Sequence, residues 1–111
     1  MNALTLTVVI LLAAGAASVR VFVSPKTVSA GGAIRLTATA SPCRSADTVT
    51  AISAVFPGHA FGEGALTSRV NNGGAFTIRG HVRTNLRAGR YTIGFRCGGG
   101  NLGVTVTVRV R

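Results

Sequence analysis

Hydrophobic and polar residues alternate with a period of two along most of the chain after Ser18. In the most regular stretch, one face carries Ile34, Leu36, Ala38 and Ala40. Such alternation, built largely from β-branched residues and bounded by Gly, Pro, Asn and Asp, predicts half-buried strands. No window has the 3.6-residue period of an amphipathic helix. We therefore expect an all-β protein.

The alternation and its breaks predict seven strands. They cover residues 19–23, 34–40, 47–56, 65–70, 76–83, 91–97 and 102–110. Short strands at intervals of about ten residues, without helices, are typical of an immunoglobulin-like β-sandwich of antiparallel strands. In that topology the loops after the second and sixth strands lie at the same end, so Cys43 and Cys97 should meet there.

The segment at residues 98–103, GGGNLG, matches the pattern G-x-G-x-x-G. A dinucleotide-binding loop must open a helix and be followed, about 20 residues later, by an acidic residue. Here another predicted strand follows, and only eight residues remain after Gly103. We therefore interpret the segment as a tight hairpin turn whose glycines adopt positive φ angles.

The first 18 residues carry no charged side chain and contain an apolar run at residues 8–14, followed by small residues. This pattern is that of a secretory signal peptide, with acceptable cleavage sites before Ala17 and before Val19. The alternative is an uncleaved anchor, although the run is shorter than the roughly 20 residues that span a bilayer. We expect a signal peptide at residues 1–18 and one secreted domain, without a membrane span, at residues 19–111.

Two cysteines, Cys43 and Cys97, lie in the exported part of the chain. An even number of cysteines in a small secreted domain most simply means one disulfide. The loop that it would close stabilises the fold by about 4 kcal/mol according to the loop-entropy relation. No metal site is expected, because His59 and His81 are the only histidines and no C-x-x-C spacing exists.

Eleven arginines and one lysine outnumber the two acids, Asp47 and Glu63, and give a formal net charge of +10. Such an excess predicts attraction to polyanions. Because the protein is expected to be exported, the polyanions that it meets should be cell-wall polymers, anionic lipid head groups or acidic polysaccharides rather than nucleic acid.

Both outer faces of the predicted sandwich are basic. The outward positions include Arg20, Arg35, Arg79, His81 and Arg83 on one sheet, and Arg96, Arg109 and Arg111 on the other. Arg35, Arg79 and Arg83 are the candidate anion-binding residues, because guanidinium groups match the geometry of phosphate and carboxylate. The alternative is that these arginines only keep the sheet soluble and discourage edge pairing.

Enzymatic activity is not expected. Acid–base catalysis needs a carboxylate pair or an oriented histidine, and His59 and Glu63 share a glycine-containing segment that reads as a loop. No G-x-S-x-G motif singles out a nucleophilic serine. The sequence therefore predicts no catalytic residue, no cofactor and no metal.

Several segments resemble the immunoglobulin-like domains of small secreted actinobacterial proteins. They are Val-x-Pro at residues 23–25, the glycine pair at 31–32, Ala-Gly-x-Tyr-Thr at 88–92, and the strand-ending Cys97. This resemblance implies the fold and export, and it supplies no catalytic residue. The opening of the chain also resembles the enediyne chromoprotein apoproteins, which hold a small chromophore in a cleft. Those proteins are acidic with two disulfides, whereas this chain is basic with one cysteine pair.

These observations predict a secreted, monomeric binding or structural module at the bacterial cell surface. Its expected partner is an anionic cell-wall polymer or another surface protein. The alternative function is that of a small-ligand carrier, which an apolar cleft near Cys97 would favour.

Overall fold

A computed structural model describes residues 19–58 and 63–111, which form eight strands and no long helix. The strands are β1 (Val19–Ser24), β2 (Thr27–Val28), β3 (Ala33–Ala40), β4 (Thr48–Ser53), β5 (Gly64–Arg69), β6 (Ala75–His81), β7 (Gly89–Cys97) and β8 (Gly100–Val110). The predicted signal peptide at residues 1–18 and His59 lie outside the described residues. Within them, no helix is long and apolar enough to cross a membrane.

The strands form two sheets, one with the order β1-β3-β6 and one with the order β2-β8-β7-β4-β5. All neighbours pair antiparallel except β2, which runs parallel to β8. The chain changes sheets at the cis peptide bond between Ser24 and Pro25. Because proline has no backbone N–H to give to a ladder, Pro25 suits this position between two edge strands.

The core lies between the two sheets and is built from the inward positions of their strands. Leu36 and Ile78 come from the first sheet, and Ile93 and Val108 from the second. The rings of Phe76 and Phe95 pack across the sheets with their centroids 6.1 Å apart. The all-β prediction is therefore confirmed, and alternation assigned these inward residues correctly.

The predicted third strand, residues 47–56, is too long, because β4 ends at Ser53. The Ser53 hydroxyl accepts a hydrogen bond from the Val55 N–H (3.3 Å), and the Ser53 carbonyl oxygen accepts one from the Phe56 N–H (3.2 Å). Serine side chains compete with ladder hydrogen bonds in this way and favour turns. Val55 and Phe56 remain buried, which explains why the sequence read as a continuing strand.

The prediction of seven strands is also wrong by one. β2 has two residues, Thr27 and Val28, which is too short to show a period of two. The predicted fifth strand, residues 76–83, ends earlier than expected, at His81. Arg83 therefore lies beyond the strand to which it was assigned.

The glycine-rich segment forms the hairpin between β7 and β8. Cys97 pairs with Gly100, and the two residues between them, Gly98 and Gly99, have φ angles of 58° and 89°. Two central residues with positive φ are characteristic of a type I′ turn, which matches the twist of the flanking strands. The hairpin interpretation is confirmed, and the G-x-G-x-x-G pattern opens a strand rather than a helix.

Candidate anion-binding site

The disulfide marks one end of the fold. Cys43, in the loop after β3, is bonded to Cys97 at the end of β7, with their Cα atoms 5.8 Å apart, as predicted. One of the two acids is engaged beside it: Asp47 Oδ2 accepts a hydrogen bond from the Arg44 backbone N–H at 2.9 Å and lies 3.8 Å from Cys97 Sγ. The disulfide therefore joins the two sheets at the end of the fold that also carries the negative charge of Asp47.

Arg35 and Arg79 lie directly opposite each other on β3 and β6, and both are exposed. Directly opposed residues have Cβ atoms about 5 Å apart, so two like charges there repel each other. Among residues 19–58 and 63–111, neither guanidinium has a hydrogen-bond or ion-pair partner. They line a depression of about 420 Å³ that also includes Ser24, Ala33, Ile34, Gly80 and His81.

Arg83, the third predicted site residue, is placed differently. Its backbone N–H donates to the Val55 carbonyl oxygen (2.8 Å), and its own carbonyl oxygen accepts from the Gly31 N–H (2.9 Å). The residue is half-buried, and its Nε is enclosed without a hydrogen-bond partner among the described residues. The fold thus brings Arg35 and Arg79 together and sets Arg83 apart from the row that they form.

The same outer face also carries an exposed aromatic residue. Phe22 on β1 is 63% exposed and pairs with Thr37, which in turn faces Thr77. Its alternation with Val21 and Val23 was the available signal that it points outward. Within the described strands β1, β3 and β6, no outward position holds an acid.

A second pair of opposed arginines lies on the other sheet. Arg90 on β7 faces Arg109 on β8, and both are exposed. Arg109 was expected to point outward, but Arg90 was missed. The sequence does contain a signal for Arg90. Because Tyr91, Ile93 and Phe95 alternate on the inward face, the residue before Tyr91 must point outward.

The basic residues are distributed unevenly along the fold. Eight of the twelve lie toward the end opposite the disulfide, where β3 and β7 begin: Lys26, Arg35, Arg79, Arg83, Arg87, Arg90, Arg109 and Arg111. Glu63 precedes the edge strand β5 and is exposed beside Thr92 and Gly94. Both arginine pairs therefore occupy the more basic end.

Comparison with known proteins does not assign the chain to a family. No family model matches it, and no curated protein matches its sequence. Among solved structures it is similar to the Pseudomonas fluorescens alkylpurine DNA glycosylase AlkC bound to DNA containing an abasic site analog, with a TM-score of 0.46 and 21% identity. The match covers 90% of this chain and 32% of that one, so the chain spans about a third of its length. A likeness at this level gives no argument about function.

Proposed function

We propose that this protein is a secreted, non-enzymatic binding module of the bacterial cell surface, which contacts anionic cell-wall polymers through the outer face of β1, β3 and β6. The observation that carries the proposal is the pair Arg35–Arg79, two exposed guanidinium groups that face each other and have no acidic partner among residues 19–58 and 63–111. An anion placed between them would accept hydrogen bonds from both and remove their repulsion.

The weakness of single surface contacts favours a polymer over a small anion. An exposed ion pair contributes at most about 1 kcal/mol, because water and salt screen it. A polymer with regularly spaced anions makes many such contacts at once, and each bound unit raises the effective concentration of the next. The uneven distribution of charge would also steer a polyanion toward the Arg35–Arg79 end.

An immunoglobulin-type sandwich is part of this proposal. Two sheets with the orders β1-β3-β6 and β8-β7-β4-β5 correspond to the strand arrangement of such domains, with β2 added beside β8. The Tyr91 hydroxyl, near the start of β7, donates a 2.7 Å hydrogen bond to the carbonyl oxygen of Arg87, which resembles the tyrosine corner of that fold, although Tyr91 lies farther before Cys97 than the corner tyrosine lies before its cysteine. The disulfide between the two sheets is typical of exported domains and supports secretion.

The positions of the two acids support a non-enzymatic role. Asp47 lies beside the disulfide, just before β4 begins. Glu63 lies just before β5, whose first residue pairs with the last residue of β4. The two acids are therefore at opposite ends of β4. The two carboxylates therefore do not form the close pair that acid–base hydrolysis of a glycan needs.

The small-ligand alternative has weaker support. A depression of about 300 Å³ near the β7–β8 hairpin is lined by Ile52, Glu63, Thr92, Gly94, Phe95, Arg96 and Asn101. Carrier sites are predominantly apolar clefts that enclose most of their ligand. The lining combines the apolar Ile52 and Phe95 with polar residues that include the charged Glu63 and Arg96, so it favours the carrier less than the arginine pair favours polyanion contact.

Binding to isolated bacterial cell walls tests the proposal. The purified domain is mixed with washed walls, and the bound fraction is measured over a series of salt concentrations. We expect binding to fall steeply with salt and to be weakened about tenfold or more in the double variant Arg35→Ser/Arg79→Ser.

The matched control is Arg44→Ser/Arg69→Ser, which removes the same charge from two exposed arginines near the disulfide end. This variant should retain most of the binding. Equal losses in the two double variants would mean that only net charge matters, and salt-independent binding would remove the proposal.

A further inference from the structure

We propose that Arg90 and Arg109 form a second anion-binding site, so that one molecule bridges two chains of an acidic polymer. The inference rests on the proposed function and adds a cross-linking activity to it. Its basis is that the fold places the same arrangement, two opposed arginines, on the outer face of each sheet.

The second site repeats the chemistry of the first. Arg90 and Arg109 are exposed, directly opposed, and without a hydrogen-bond or ion-pair partner among residues 19–58 and 63–111. A depression of about 340 Å³ lies at the pair, lined by Ala88, Gly89, Arg90, Arg109, Val110 and Arg111. Arg111 adds a third guanidinium beside it, with its Nε donating to the Ser29 hydroxyl at 3.1 Å.

The neighbouring rows show that opposed arginines are not the general surface of these sheets. The next outward row beside Arg35–Arg79 is the pair Thr37–Thr77, and the next beside Arg90–Arg109 is Thr92–Thr107. Opposed threonines are neutral and can bond to each other, whereas opposed like charges destabilise a sheet. Solubility alone is served by separated charges of mixed sign. The repeated placement of two arginines face to face therefore indicates a ligand that neutralises them.

The two sites point in opposite directions. Phe76 and Phe95 meet in the core between the sheets, so the outward residues of β6 and β7 lie on opposite sides of the molecule. Packed sheets are about 10 Å apart, and the arginine side chains extend beyond them, which separates the sites by roughly 20 Å. A straight polymer held on one face cannot reach the other face. Each site is therefore free to hold a different polymer chain.

Long-chain inorganic polyphosphate is the probe for bridging, and light scattering is the readout. The wild-type domain should cross-link the polymer. Scattering should rise near the ratio of protein to polymer at which the positive charge of the protein cancels the negative charge of the polymer. In the double variant Arg90→Ser/Arg109→Ser, the protein should still bind, but scattering should fall to the level of single polymer chains that carry bound protein without cross-links. The control Arg44→Ser/Arg69→Ser carries the same net charge and should scatter like the wild type.

Calorimetric titration with tripolyphosphate, which is too short to bridge, counts the sites. The wild type should bind two anions per molecule, and the variants Arg90→Ser/Arg109→Ser and Arg35→Ser/Arg79→Ser should each bind one. If a double variant does not fold, as judged by circular dichroism, a single change at the same pair takes its place, Arg109→Ser for the Arg90–Arg109 pair and Arg35→Ser for the Arg35–Arg79 pair.

The outcomes separate the two proposals. Unchanged scattering and two bound anions in Arg90→Ser/Arg109→Ser would overturn the bridging site and leave the Arg35–Arg79 site standing. Unchanged anion binding in Arg35→Ser/Arg79→Ser would instead overturn the proposed function. Equal loss of scattering in the Arg44→Ser/Arg69→Ser control would show that net charge alone causes the cross-linking.

Discussion

At the scale of single residues, Gly73 and Gly74 show how neighbouring glycines can have different roles. Both lie in the turn between β5 and β6, with φ angles of 76° and 80°. A Cβ at Gly73 would meet no atom within 4 Å, whereas a Cβ at Gly74 would overlap the carbonyl oxygen of Ala40. At Gly73 only the positive φ angle favours glycine. At Gly74 the positive φ angle and the close approach of the Ala40 carbonyl oxygen both favour it.

We predict different losses of stability for alanine at these two positions. Gly73→Ala places a side chain in the left-handed region and should lower the free energy of unfolding by about 1 kcal/mol. Gly74→Ala adds a clash with the backbone that ends β3, so its loss should exceed about 3 kcal/mol. Urea unfolding of the two variants gives the comparison, and equal losses would contradict the packing around Gly74.

The Tyr91 hydroxyl offers a second residue-scale test. Phenylalanine at this position keeps the ring and removes only the hydrogen bond to the Arg87 carbonyl oxygen. The loss of one such bond should lower the free energy of unfolding by about 1 kcal/mol. Asn85→Ala, at an exposed position in the loop before β7, is the control and should stay within about 0.5 kcal/mol of the wild type. A Tyr91→Phe variant as stable as this control would show that the hydrogen bond contributes nothing.

At the scale of strands, the sequence predicts correctly those strands whose hydrophobic and polar residues alternate over many positions. β3 and β6 bury one side chain in two over several residues, so their faces could be read directly. β2 could not be found, because its two residues owe their strand conformation to pairing with β8. The end of β4 was missed because Val55 and Phe56 stay buried in a turn, and burial alone does not distinguish a strand from a turn.

The disulfide connects elements that are distant in sequence, and this gives a prediction at the same scale. Cys43 and Cys97 are 54 residues apart and join the loop after β3 to β7. Replacing both by serine removes the restriction on the unfolded chain and should lower the free energy of unfolding by about 4 kcal/mol. The measurement is urea unfolding of Cys43→Ser/Cys97→Ser beside the oxidised wild type. A loss below about 1 kcal/mol would mean that the bond contributes little to the fold.

At the scale of the whole molecule, the candidate site depends on pairing that the sequence does not encode locally. Alternation identified Arg35 and Arg79 as outward residues, but their direct opposition follows from the register of β3 against β6, which are separated by two other strands in the chain. The pair Arg90–Arg109 likewise depends on register, with an irregularity between Gly94 and Arg96 shifting the pairing along β7. Sequence reasoning could thus find most of the basic positions, but not which of them face each other.

Salt dependence provides a prediction for the molecule as a whole. Each arginine that neutralises one polymer anion releases about one counterion, so the logarithm of the binding constant falls with the logarithm of salt concentration. Removing Arg35 and Arg79 together should reduce this slope by about 2, whereas Arg44→Ser/Arg69→Ser should change it little. Equilibrium binding to polyphosphate at several salt concentrations gives both slopes, and identical slopes in the two variants would argue against a localised site.

An NMR titration that follows the arginine Nε–H signals as polyphosphate is added tests directly whether the opposed arginine pairs bind the anion. We expect the signals of Arg35 and Arg79 to move at the lowest polymer concentrations and those of Arg90 and Arg109 to respond as well, while Arg44 and Arg69 stay close to their starting positions. A uniform shift of all eleven arginine signals, or early movement confined to the disulfide end, would contradict the assignment of the opposed arginines as the anion-binding groups.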